Sequence, residues 1–463
     1  MSIRNKLAQR RAWREGIRHC TFDPKGPGVV RVHLVPPKPR LFGNSSHVVI
    51  LNGYYLLPIG YAWAILLSHF IDEVNAIGNR PIDGDETDAM IERVVARTRR
   101  VYPKAPPEEI REDLDEILDV LFEVASGGNP DAEIERLSIR AYRNRMSAPH
   151  RMDLMVSAMT DTEGKWKCNQ KCRFCYAAGQ AYSRVRELST EEWITAIDRL
   201  QRAGVPMLTF TGGEPTLRDD LCELISHAKW FITRLNTNGV ALTPALAERL
   251  RNAELDSVQV TLYSADPAIH NELVGAAHHA ETLCGIENAL RAGLDVSVNT
   301  PLCRLNADYL STLALLHRLG VRFVTASGLI CTGTAAQNHD DNDLTRNELA
   351  AIIRDAKAFC DEHGMEIDFT SPGLIDAAEL EALGMRTPMC GAALSNMAIS
   401  PDGTVVPCQS WLSDGAGLGN ILTDPFGRIW NAKLCRRLRS MRDGEALACP
   451  FRAQAKGGVK HGR

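Results

Sequence analysis

The 463-residue sequence lacks a charge imbalance and any long unbroken apolar run, and each absence removes a class of function. Its 53 basic and 57 acidic side chains leave a formal charge of -4, so no global field favours nucleic acid or an anionic membrane as partner. Only residues 48–71 approach the apolarity of a membrane span, and Asn52-Gly53 and Pro58 interrupt them, where a spanning helix needs about 20 apolar residues in a row. That stretch reads as a soluble core segment, with no membrane partner expected. The opening MSIRNKLAQRRAWREG has no apolar core of the signal-peptide kind. Repeats of solenoid period and low-complexity tracts are also missing. Cysteine is the exception, at thirteen residues, yet these do not fall at disulfide-like intervals. The expected compartment is the reducing cytoplasm.

At about 100 to 200 residues per domain, the length allows roughly two to four. Residues 29–35 alternate apolar and polar, and residues 48–51 and 54–57 flank Asn52-Gly53, a strong hairpin signal. Three strands are expected, then three helices: one after Pro58 to about Ile77, one near 88–100, and one from Pro107 that places Leu114, Ile117, Leu118, Leu121, Phe122 and Ala125 on one face before Gly127-Gly128. Residues 1–130 thus read as a small α+β domain and residues 131–150 as a charged linker. From there the pattern is strand, loop, helix, with strands near 154–157, 207–210, 231–235, 257–262, 295–300 and 322–325. A capping box at Ser189 and Glu192 opens the first helix. This α/β pattern over 151–335 predicts a parallel sheet curled into a partial (β/α)6 barrel, with chemistry at the C-terminal ends of the strands. Residues 336–387 read as connecting helices, and residues 388–463 as a small domain built on CGAALSNMAISPDGTVVPC and a helix over IWNAKLCRRLRSMR.

Chemistry concentrates after the first barrel strand. Cys168, Cys172 and Cys175 put three thiols on one short loop. Thiolates are the ligands of iron–sulfur clusters, which ordinarily take four; three leave one iron open to a substrate or cofactor. A structural zinc site would need a closed set of four ligands, and no histidine or paired cysteine is suitably spaced. This C-x3-C-x2-C spacing, with Phe174 before the last cysteine and Tyr176 after it, resembles the signature of the radical S-adenosylmethionine (SAM) superfamily. The resemblance implies that these cysteines hold a [4Fe-4S] cluster on which SAM binds, and that Phe174 lies in its pocket. Gly212, Gly213 and Glu214, after the second strand, are similar to the family's motif for the SAM amino group; glycines admit close backbone approach and a carboxylate accepts from an ammonium. Asn238, Thr261 and Asn299 fall where members contact the ribose, carboxylate or adenine of SAM. The chemistry implied is one-electron cleavage of SAM to methionine and a 5′-deoxyadenosyl radical that takes a hydrogen atom from the substrate.

Cys390, Gly403 and Cys408 resemble the opening of a SPASM or Twitch auxiliary-cluster extension, with Cys449 as its third ligand. Asp402-Gly403 supplies the tight turn. The sequence departs from the family where Cys449 is followed by Pro-Phe-Arg452 in place of a partner cysteine, which implies one auxiliary cluster with an open or non-cysteine fourth position; Cys435, inside a helix, is the weaker candidate. The first domain resembles the winged-helix-like recognition elements of ribosomal-peptide maturases, which bind a leader peptide as an added strand; a domain that only shields the barrel is the alternative. The function implied is a peptide-modifying enzyme that installs a crosslink, oxidation or epimerisation on a precursor peptide, fed by a reductant such as flavodoxin or ferredoxin. The alternatives are a radical SAM dehydrogenase of a small molecule or a maturase of a protein side chain, and a non-catalytic iron–sulfur or zinc scaffold. No catalytic acid or base stands out among the 57 carboxylates.

Overall fold

The computed structural model describes residues 16–24, 28–37, 46–78, 80–128, 136–338 and 341–446. The chain divides into two compact units, Met1–Ser147 with Trp230–Ile232 and Ala148–Lys229 with Thr233–Arg463.

In the first unit, β1 (Arg18–Phe22), β2 (Val30–Val35), β3 (His47–Leu51) and β4 (Tyr55–Ile59) form an antiparallel sheet in that order. Asn52 and Gly53 turn the chain between β3 and β4 with φ of 46° and 69°, the left-handed backbone that these two residue types tolerate best. Helices α1 (Tyr61–Ile77), α2 (Gly84–Val101) and α3 (Pro107–Ala125) follow. Val32, Leu34, Val49 and Leu51 pack with Phe70, Val94, Leu114 and Leu121 in one core. The sequence reading expected three strands, and β1 is the addition. Its RHCTF buries only Cys20, so it carries almost no hydrophobic signal. Both sheet edges have occupied carbonyls: Asn75 Nδ2 donates to His19 O at 2.8 Å and Leu137 N to Leu56 O at 2.9 Å. Pro58 on β4 has no N–H, a common edge-strand device.

In the second unit six parallel strands appear as expected: β5 (Arg151–Ser157), β6 (Met207–Gly212), β7 (Ile232–Thr237), β8 (Ser257–Thr261), β9 (Asp295–Leu302) and β10 (Phe323–Gly328). Between them run α4 (Thr190–Ala203), α5 (Leu221–His227), α6 (Pro244–Asn252), α7 (Pro267–Val274), α8 (His279–Arg291) and α9 (Tyr309–Leu319). The capping box is formed: Glu192 N donates to Ser189 Oγ at 3.3 Å and Ser189 N to Glu192 Oε2 at 2.9 Å. Trp193, Ala196, Ile197 and Leu200 form the buried face of α4.

The sheet is wider than six strands. After α10 (Ala335–Asn338) and α11 (Arg346–Glu362), β11 (Glu366–Phe369) adds in parallel to β10, so the segment read as connecting helices also holds a strand. Four residues are too few to show a period. At the other edge β12 (Asn396–Ile399) pairs in parallel with β5 and antiparallel with β13 (Val405–Val406). The C-terminal hairpin thus continues the barrel sheet. The helix expected over IWNAKLCRRLRSMR is broken at Asn431-Ala432 into α12 (Phe426–Trp430) and α13 (Lys433–Arg439). Among the described residues no helix is long and apolar enough to cross a membrane.

Leu114 is fully buried in the first core, and deleting such a side chain costs roughly 2 to 5 kcal/mol. Leu114→Ala is expected to lower the unfolding free energy by that amount in urea titrations; a loss below about 1 kcal/mol would place it outside a tightly packed core.

A candidate cluster and cofactor cradle at the strand ends

The loop after β5 is held by its neighbours on two sides. The end of α7 takes its N–H groups, Lys171 N donating to Val274 O and Arg173 N to Leu273 O, each at 2.9 Å. Gly275, which caps α7 at φ +64°, stands so close that a Cβ would lie 2.7 Å from Lys171 O. On the other side, residues after β10 take the carbonyls: Thr334 N donates to Cys175 O at 3.0 Å, and Asn338 Nδ2 to Arg173 O at 3.1 Å. Within the loop, Trp166 Nε1 donates to Gln170 O at 2.9 Å. Phe174 is buried against Tyr263, Leu273, Val274 and Leu329.

The three thiols lie within one another's field. Burial pushes the Cys168 thiol up to about 12, with Glu214 and Cys175 adding to the rise. Burial first, then the two neighbouring thiols, push Cys172 well above its usual value, and burial raises Cys175. Three thiolates here require a positive partner, which a metal cluster supplies. Among the described residues no group of three or more His, Cys, Asp or Glu side chains is gathered as around a single metal ion. Three soft donors on one loop fit a multi-iron cluster, in which each thiolate has its own iron, whereas a structural zinc takes a closed set of four ligands.

Beside this loop lies Glu214, at the end of β6. Its buried carboxylate accepts four hydrogen bonds: Thr216 N at 3.0 Å, Thr216 Oγ1 at 2.5 Å and Thr237 Oγ1 at 2.6 Å on Oε1, and Asn238 N at 2.8 Å on Oε2. Burial raises its pKa and these donors oppose the rise. Asn238 ties the motif to the cysteine loop, donating from Nδ2 to Asn169 Oδ1 at 2.6 Å, while Cys168 Sγ lies 3.4 Å from Gly213 O. Asn169 and Thr216 were not singled out in the sequence, because small polar residues near strand ends are too common to signal a role. The glycines have a nearer reason than ligand approach. A Cβ on Gly212, whose φ is +138°, would sit 2.4 Å from Ser157 O, and one on Gly213 2.7 Å from Ala158 O. Bare backbone is needed for β6 to pass β5.

Thr261, Asn299 and Thr325 occupy one row across β8, β9 and β10, with Thr325 Oγ1 donating to Asn299 Oδ1 at 2.9 Å and Gln259 Nε2 to Thr325 Oγ1 at 3.3 Å. In the C-terminal segment Gly403 turns the hairpin at φ +87° and Ala393 N donates to Pro407 O at 3.0 Å, which draws the flanks of Cys390 and Cys408 together. Cys408 lies close enough to the Tyr176 phenol to act on its charge, and Tyr176 OH donates to Gln409 Oε1 at 3.4 Å. Cys390 N donates to Ala446 O at 2.7 Å. Cys449 lies outside the described residues. Cys435 is fully buried in α13, its thiol raised to about 11 by burial, with Arg439 as the opposing charge.

Residues 167–316 match the model of the Radical SAM superfamily, and residues 390–451 that of SPASM, an iron–sulfur cluster-binding domain. The chain is 28% identical over 305 residues to a PqqA peptide cyclase of Streptomyces rochei, across 64% of this chain and 82% of that protein. It is 28% identical over 290 residues to the mycofactocin maturase MftC of Mycolicibacterium smegmatis, across 61% and 72%. Among solved structures, Streptococcus suis SuiB bound to its precursor peptide SuiA superposes with a TM-score of 0.58 at 14% identity, over 86% of this chain and 88% of that one. This last likeness is one of fold.

Gly212→Ala is expected to force β5 and β6 apart at the cysteine loop, because the added carbon meets backbone and φ is unfavourable. Iron analysis of the anaerobically reconstituted variant should show iron lost from this loop; full iron content would mean the strand ends tolerate the side chain.

Proposed function

With residues 167–316 belonging to the radical SAM superfamily and residues 390–451 to the SPASM cluster-binding domains, we propose that the chain is a radical SAM enzyme that matures a ribosomally made precursor peptide. The observation that carries the reading is the joining of the three-thiol loop to the buried Glu214 carboxylate through Asn238 and Asn169. When bound, the cluster and SAM supply a 5′-deoxyadenosyl radical that abstracts a hydrogen atom.

In this reading Cys168, Cys172 and Cys175 hold the cluster. Glu214 accepts from the SAM amine on Oε2, which takes one protein donor where Oε1 takes three. Its preset donors keep the carboxylate oriented and oppose the rise that burial causes. Asn238, Thr261 and Asn299 line the row where the rest of SAM would lie, and Phe174 with Tyr263 and Leu329 shields the radical from water. Cys390, Cys408 and Cys449 hold an auxiliary cluster whose fourth position is open or filled by a non-cysteine ligand, because Arg452 stands in the sequence where a partner cysteine is expected.

A peptide substrate is favoured by the company the chain keeps: its relatives are named as a peptide cyclase and a maturase, and SuiB is seen with a precursor peptide. Residues 1–130 serve as the recognition domain, with residues 131–150 as linker, residues 151–335 as barrel and residues 388–463 as the auxiliary-cluster domain. A leader adding to β4 would exchange its own N–H for that of Leu137 on Leu56 O. The enzyme would work in the cytoplasm, with a flavodoxin or ferredoxin as electron donor.

Mass spectrometry of a co-expressed candidate precursor tests the substrate class: a mass change that depends on Cys172 supports it, and an unmodified peptide beside a turned-over small molecule would move the function to that substrate. Charge-assisted bonds contribute roughly 1.5 to 3 kcal/mol, so Glu214→Gln is expected to weaken SAM binding about tenfold or more. Equilibrium dialysis giving unchanged affinity would remove Glu214 from the SAM site.

A further inference from the structure

Past β10 lies Cys331, a half-buried thiol whose Sγ is 4.0 Å from Leu329 O. The contacts that matter are made by the residues after it. Thr334 makes three bonds to two cysteine carbonyls: its N donates to Cys175 O at 3.0 Å, and its Oγ1 is shared between Cys175 O at 3.2 Å and Cys172 O at 3.4 Å. Thr332 Oγ1 donates to Tyr176 O at 3.1 Å and Asn338 Nδ2 to Arg173 O at 3.1 Å. Between the two threonines Gly333, at φ +61°, comes so close that a Cβ would lie 2.5 Å from both Cys175 O and Tyr176 O. Any other residue there would push the loop away.

We propose that residues 332–338 are a clamp that sets the geometry of the cluster-binding loop, with Thr334 as its positioning residue. The proposal rests on the reading that Cys168, Cys172 and Cys175 hold the cluster. Because a peptide unit is planar, fixing the carbonyls of Cys172 and Cys175 fixes the N–H groups of Arg173 and Tyr176 as well. Arg173 N is already taken by α7, so the Cys172–Arg173 peptide is held at both ends of its plane and the Cys175–Tyr176 peptide at its carbonyl. Amide directions around the sulfurs are among the factors that set a cluster's potential and SAM-facing iron. The clamp is itself anchored: buried Asn342 donates from Nδ2 to Asn338 O at 3.0 Å, and its carbonyl accepts from Arg304 N at 2.9 Å. Thr334 touches neither substrate nor iron in this scheme; it acts through the two cysteine carbonyls.

The test uses the full chain, reconstituted with iron and sulfide under anaerobic conditions, and two near-isosteric variants. Thr334→Val removes the hydroxyl and keeps the shape, while Thr334→Ser keeps the hydroxyl. The readouts are iron retained after desalting and the change that SAM produces in the electron paramagnetic resonance spectrum of the reduced cluster. A lost neutral hydrogen bond corresponds to roughly threefold to tenfold, so Thr334→Val is expected to need that much more SAM for half of the spectral change and to shed iron faster. Thr334→Ser should stay within about twofold of the wild type. Asn338→Ala, which removes only the side-chain bonds of a half-buried residue, supplies the same comparison should Thr334→Val not fold. A wild type that responds to SAM alongside a Thr334→Val protein, or failing that an Asn338→Ala protein, with the same iron and the same response would overturn the clamp alone. A wild type with no cluster and no SAM response would overturn the cluster assignment, and the clamp with it.

Discussion

Three thiols buried on one loop cannot ionise without a positive partner, and much of the second unit is arranged around that constraint. Burial, with smaller contributions from the neighbouring charges, drives Cys168 to about 12 and raises Cys172, and burial raises Cys175, so as free side chains they would stay protonated and inert. Iron reverses this balance by replacing each proton with a charge held at fixed geometry. The loop is held by hydrogen bonds on two sides: α7 takes the N–H groups of Lys171 and Arg173, and residues 332–338 take carbonyls of the loop. The same electrostatic problem recurs at Glu214, a buried carboxylate made tolerable by four donors. One buried site thus presents soft negative ligands beside a hard negative acceptor, a pairing suited to a cationic cluster and the ammonium of a bound amino acid.

The C-terminal hairpin is tied to this arrangement through the sheet. Because β12 pairs with β5, the strand that leads into the cysteine loop also carries the hairpin that ends at Cys408. The contact is continued by side chains: Tyr176 OH reaches Gln409 Oε1, and Gln180 exchanges bonds with Ser410 O and Leu412 N at 3.2 and 3.1 Å. Sheet continuity fixes the spacing between the two cysteine groups more firmly than a flexible linker would.

The barrel and its chemistry were legible because they rest on local signals: alternating strand and helix periods, capping boxes, and a cysteine spacing with few competing uses. All six barrel strands stand where periodicity put them. What escaped was short or relational. RHCTF and EIDF form β1 and β11 through pairing with neighbours that a single sequence does not reveal. Gly212 and Gly213 were visible as glycines, but their reason, the backbone of Ser157 and Ala158 on the adjacent strand, is a tertiary fact. Thr332 and Thr334 are ordinary residues in an ordinary loop until Cys172, Cys175 and Tyr176 are placed opposite them.

The account stands on the three-thiol loop holding a cluster that works on SAM. The most direct measurement is the yield of 5′-deoxyadenosine and methionine from SAM after anaerobic reconstitution and reduction, comparing the wild type with Cys172→Ala. The account predicts both products from the wild type and neither above background from the variant; equal yields from the two proteins, or none from a wild type loaded with iron, would contradict it.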